Sequence, residues 1–142
     1  MSYSLSRILR LLSASSEGEE KVPKGKVRMF CVGINKKEVV IGKNKYSSGP
    51  QHRLGYPPFS SLHAELDFYY RCKRTGFVPK EIFIFGFRKK FLRSTAPCIY
   101  CGTVLLNLDF RRIHFFVEGK LTSMSKEEFR GLVEEGLLKS YQ

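Results

Sequence analysis

SSLHAELDFYYRCKRTG, residues 60–76, and STAPCIYCGTVLLNL, residues 94–108, decide how this chain folds. The first predicts a helix capped by Ser60 or Ser61 and stopped at Gly76, and the second a helix opening just after Pro97. Between them EIFIFGF, residues 81–87, is β-prone and bounded by breakers, so it predicts a buried strand. Upstream, VRMFCVGI (27–34), the turn NKKE (35–38) and VVIGKNKY (39–46) predict a hairpin. Downstream, IHFFVEG (113–119) predicts a strand and LTSM (121–124) a short further one. SKEEFRGLVEEGLL (125–138) then predicts a helix with Ser125 as cap and Glu128 three residues on, a capping box. The order β-β-α-β-α-β-(β)-α describes an α/β sandwich, a sheet with helices packed on it.

A chain of 142 residues fits one domain. Leu5, Ile8, Leu9 and Leu12 follow helical spacing with Arg7 and Arg10 on the opposite face, which predicts a short amphipathic helix packed on the core. The same Arg- and Ser-containing stretch, free of acids until Glu17, also reads as an organelle-targeting segment. The division expected is therefore residues 1–26, an amphipathic helix and mobile linker, and residues 27–142, the folded domain. Residues 47–61 carry three prolines and no periodicity, so they predict a long loop.

The net charge of +12 is unevenly placed, with eleven basic and three acidic side chains between residues 71 and 120. Such an excess attracts phosphates, through counterion release where they belong to a polymer. No apolar run approaches the 18 or so residues that cross a bilayer, which argues against a membrane partner. Of four cysteines, Cys31 and Cys72 read as core thiols, whereas Cys98 and Cys101 form a Cys-x-x-Cys pair. In a chain without a secretory signal that pair reads as metal or redox chemistry, and the expected location is intracellular and reducing, the cytoplasm.

His63, Cys98 and Cys101 supply three ligands suited to Zn²⁺ and leave a fourth tetrahedral position open, as in catalytic rather than structural sites. The two cysteines, three apart in a first helical turn, reach one ion. Glu65, two residues from His63, is placed to move protons: zinc lowers the pKa of its water towards about 7, and a neighbouring carboxylate passes the proton to a leaving nitrogen.

His63-Ala64-Glu65 followed by Pro97-Cys98-Ile99-Tyr100-Cys101 resembles the signature of the cytidine/deoxycytidylate zinc-dependent deaminase superfamily. The resemblance spans roughly residues 27–120. It implies a three-layer α-β-α cytidine deaminase-like fold, a mixed sheet of about five strands with helices on both faces, and makes 27–142 the deaminase domain. It further implies Zn²⁺ as cofactor and hydrolytic conversion of cytosine to uracil by zinc-hydroxide attack, with Glu65 as proton shuttle. Gly42-Lys43-Asn44 resembles the family's G-x-N, which implies Asn44 as a substrate ligand, although Asn also suits a turn here. By the same resemblance the Ala64 N–H would bond the pyrimidine carbonyl oxygen, and Ser94 falls in the stretch whose backbone receives the amino group. Two departures matter. Tyr46 stands where nucleoside enzymes carry a ribose-binding Glu, and Ala96 stands where tRNA adenosine deaminases carry Glu.

Two substrates fit. One is a free cytosine nucleoside or nucleotide such as dCMP, the preferred reading, with Lys43, Lys45, His52 or Arg53 at a phosphate. The other is single-stranded DNA or RNA, with Arg88, Lys89, Lys90 and Arg93 along the backbone and Tyr46, Tyr56, Phe59 or Tyr100 stacked on bases. An inactive zinc-bearing binding module is a third reading, and homo-oligomerisation stays open.

Overall fold

A computed structural model describes residues 28–36, 38–44, 63–88, 91–92 and 95–138. The strands are β1 (Arg28–Asn35), β2 (Glu38–Lys43), β3 (Glu81–Arg88), β4 (Phe91–Leu92), β5 (Arg112–Val117) and β6 (Lys120–Ser125). The helices are α1 (Ala64–Thr75), α2 (Ile99–Leu105) and α3 (Lys126–Glu134). The sheet runs β2-β1-β3-β5-β6, with β4 paired to the end of β3. All pairings are antiparallel except β3 with β5, whose connection passes through α2 as parallel neighbours require. Both hairpins turn in two residues. Lys36 has φ 54°, and Glu118 and Gly119 have φ 50° and 80°, the left-handed backbone that matches strand twist.

The central strands are apolar along their whole length because both of their faces are buried. On one face Cys31, Ile82, Ile84, Ile113, Phe115 and Met124 meet Ala64, Phe68 and Cys72 of α1, Leu105 of α2, and Phe129 and Val133 of α3. On the other, Phe30, Val32, Ile34, Phe85, Phe87 and Phe116 form a second buried cluster, the double burial that a layered α/β sandwich requires. Two glycines let α1 lie directly on the first hairpin. A Cβ on Gly33 would collide with the Phe68 ring, and one on Gly42 would lie 2.6 Å from the Ala64 carbonyl oxygen. That close approach places the end of β2 against the first turn of α1.

Several boundaries differ from those read in the sequence. The first helix opens at Ala64, with His63 as an extended N-cap (φ −78°, ψ 150°), rather than at Ser60 or Ser61. Its start is fixed by tertiary contact: Gly42 abuts Ala64, and the Asp67 carboxylate accepts the Lys43 N–H at 2.9 Å. Helix α2 stops at Leu105, and Leu108 reaches the core through a turn. Strand β2 ends at Lys43 instead of running to Tyr46. β4 was not expected, since two residues beside a basic run carry no alternation. Gly76, in the left-handed conformation, ends α1 as the sequence implied, and the Ser125–Glu128 capping box is present. The amphipathic segment 5–12, the linker and the loop 47–61 lie outside the described residues. No described helix is long and apolar enough to cross a membrane.

Candidate metal centre

His63 and Cys98 each occupy the N-cap of a helix, where the backbone is still extended and the side chain projects past the helix end. The two caps converge because α1 and α2 pack together through Leu66, Cys101 and Val104, with Tyr69, Tyr70 and Cys98 around them. The α2 start is in turn pinned by Thr95, a buried residue the sequence reading passed over. Its hydroxyl donates to the Ile84 carbonyl at 2.7 Å and accepts the Phe116 N–H at 2.9 Å, while its own N–H donates to the Phe116 carbonyl at 2.8 Å. Thr95 thus sits between β3 and β5 just past their last pair, Ile84 with Phe115. The segment leading to Cys98 enters at the carboxyl ends of two parallel strands, the crevice where open α/β sheets bind ligands.

His63 Nδ1 lies 3.2 Å from Cys101 Sγ and 3.6 Å from Cys98 Sγ. All three ligand atoms fall within 4.8 Å of one another, and among the described residues this is the group that could hold a metal ion. A tetrahedral ion with Zn–N of about 2.0–2.1 Å and Zn–S of about 2.3 Å sets nitrogen and sulfur about 3.6 Å apart. One imidazole and two thiols already stand near that separation, so the donor set fits zinc.

The electrostatics agree. The Cys98 thiol is pulled down to about 4 by hydrogen bonds from the Cys101 thiol, His63 and the Cys101 N–H, against the opposing effect of burial. Its thiolate raises the pKa of His63 through the same hydrogen bond. Cys72, by contrast, is pushed up to about 12 by burial, and burial likewise raises Cys31; both are plain core thiols. Glu65 is only 4% exposed. Burial first, and the Cys98 charge second, push its carboxyl up to about 7, while the helix backbone, His63 and Cys101 oppose the rise. A carboxyl so placed exchanges its proton near neutrality.

The remaining expected residues divide. Ala64 is buried as the first residue of α1, where its N–H has no intrahelical acceptor. Asn44 is buried just past β2, two residues beyond the contact between Gly42 and Ala64. Lys43 is half-buried, its N–H bound to Asp67, which also pairs with Arg71 at 3.0 Å. Tyr100 and Ile99 are exposed on the first turn of α2, at the rim of the metal group. Arg88 lies in β3. Ser94, Lys45, Arg53, Lys89, Lys90, His52, Arg93, Tyr46, Tyr56 and Phe59 lie outside the described residues. Besides Thr95, the sequence reading missed Arg28, whose guanidinium contacts Asn44.

No model of a known protein family matches the chain, and no curated protein does. Solved structures do. A cytidine deaminase from Burkholderia pseudomallei is similar with a TM-score of 0.61 and 15% identity, over 89% of this chain and 96% of that one. A mutant cytidine deaminase from Mycobacterium tuberculosis is similar with a TM-score of 0.57 and 15% identity, over 89% and 93% of the two chains. At such identity the likeness establishes architecture: this chain has the α/β fold seen in those cytidine deaminases.

Proposed function

We propose that this chain is a zinc-dependent hydrolytic deaminase that converts cytosine to uracil in a free nucleoside or nucleotide such as dCMP. The observation that carries the reading is the meeting of His63 Nδ1 and the two cysteine sulfurs, beside buried Glu65, where two helices begin. The fold likeness to cytidine deaminases supports it.

Zinc held by His63, Cys98 and Cys101 supplies a Lewis acid and a water acidic enough to serve as nucleophile at neutral pH. Glu65 takes up the proton that this water loses and delivers it to the pyrimidine and its departing amine. A C4–O bond forms, the C4–N bond breaks and ammonia leaves, with no net change in protons. The site's enclosure keeps Glu65 out of bulk water, which holds its proton affinity near the working pH. The Ala64 N–H suits the pyrimidine carbonyl oxygen, and Asn44 the sugar. The thiol chemistry suits a reducing, intracellular compartment.

A single-stranded nucleic-acid substrate is favoured by one observation, the basic excess between residues 71 and 120. The test is to incubate the purified chain with dCMP, deoxycytidine and a cytosine-containing single-stranded oligonucleotide, and to quantify uracil. Conversion of a free nucleotide or nucleoside, lowered about 10³-fold or more by Glu65→Ala, is expected. Equal conversion by the variant would sink the reading. Conversion confined to the oligonucleotide would replace the small substrate with the polymer.

A further inference from the structure

We propose that Arg28 is a positioning residue that fixes the Asn44 carboxamide, so that Asn44 offers the substrate hydrogen-bond donors and no acceptor. The inference rests on the deaminase reading above and goes beyond it by naming what a substrate must present to this part of the site.

The geometry begins where β1 and β2 end their ladder. The last paired residues are Phe30 and Lys43, and Asn44 extends the pairing in an unusual way. Its backbone N–H donates to the Met29 carbonyl at 3.2 Å, but the Met29 N–H is taken by the Asn44 side-chain oxygen, Oδ1, at 2.8 Å. The Asn44 backbone carbonyl instead accepts Arg28 Nη1 at 2.7 Å, and the same Nη1 stands 3.5 Å from Oδ1. Oδ1 is therefore held by a main-chain donor and faced by a guanidinium. Turning the amide over would set its NH₂ group against two donors, so the network assigns oxygen and nitrogen without ambiguity. The charged donor strengthens the hold on the backbone that carries this amide.

With the oxygen committed to β1, the Nδ2 amino group is directed away from it. Asn44 follows directly on the stretch of β2 that abuts Ala64, in the turn of α1 that carries Glu65. An Asn fixed this way bonds an acceptor: a sugar oxygen or a phosphate oxygen of a nucleotide. The Arg28 charge next to it favours the anionic member of that pair.

The experiment is a double-mutant cycle on the zinc-loaded full chain, comparing wild type, Arg28→Ala, Asn44→Ala and the double variant on deoxycytidine and dCMP. Arg28→Ala is expected to raise KM about 10-fold while leaving kcat within about 3-fold, the loss of one oriented hydrogen bond. In the Asn44→Ala background it should cost almost nothing further. Arg28→Lys, which keeps a charged donor, should recover part of the loss. An equal rise on both substrates assigns the accepting atom to the sugar, and a larger rise on dCMP assigns it to the phosphate. Equal cost of Arg28→Ala with and without Asn44, or a fall in kcat at unchanged KM, would overturn the proposal. Should Arg28→Ala fail to fold, Arg28→Lys and Asn44→Asp complete the same cycle. A wild type that converts no cytosine substrate defeats the deaminase reading alone. The cycle is then read on dCMP binding by calorimetry, where coupled losses support the positioning role and additive losses refute it.

Discussion

Two histidines separate the working end of this molecule from its framework. His63 stands at the cap of α1 against two sulfurs, 3.2 and 3.6 Å from its Nδ1, and these are soft ligands able to share an ion. His114 lies within β5, stacked on Phe83 at 4.2 Å, with Nδ1 on the Ser123 hydroxyl at 2.6 Å and Nε2 on Glu81 at 2.8 Å. Both nitrogens of His114 already have hydrogen-bond partners, and those partners come from the neighbouring strands β6 and β3. His114 ties three strands together. What makes a histidine a metal candidate here is its neighbours' chemistry and its place at a helix end.

That contrast can be broken by substitution. His63→Ala should leave a folded protein that retains less than about a tenth of the wild-type zinc, measured by elemental analysis after dialysis, because second-sphere losses alone cost only 10–100-fold in affinity while a lost ligand costs more. Retention of a full equivalent would remove His63 from the ligand set. A smaller effect is expected of Thr95→Val. It strips a buried hydroxyl from the Ile84 carbonyl and the Phe116 N–H, at a cost of about 2–4 kcal/mol in denaturant unfolding. Zinc affinity should fall with it, since Thr95 holds the segment entering Cys98. A change within about 0.5 kcal/mol would show that the segment is fixed by other contacts. The smallest effect belongs to His114→Phe. Glu81 is half exposed and regains water, so about 1 kcal/mol of stability should be lost with zinc content unchanged. Loss of zinc in this variant would erase the distinction between the two histidines.

The same contrast explains how far the sequence could be read. His63, Glu65, Cys98 and Cys101 were legible because the spacing of short motifs at helix starts survives as a one-dimensional pattern. The strands were legible because burial on both faces makes them continuous apolar runs. The cap of α1 was misplaced because Ser60 and Ser61 look like better caps than His63, while the true start is set by Gly42 and Asp67 meeting across the fold. Thr95 and Arg28 left no signal. Their importance comes from the ends of strands that are distant in sequence, Ile84 with Phe116 and Met29 with Asn44, and no local rule anticipates those meetings.

The central claim, a three-ligand centre of one imidazole and two thiolates, is tested most directly by zinc-edge X-ray absorption on the purified chain. Two sulfur neighbours at about 2.3 Å together with nitrogen or oxygen neighbours at about 2.0–2.1 Å are predicted. A shell of four sulfurs, a shell with none, or a protein that binds no zinc would contradict it.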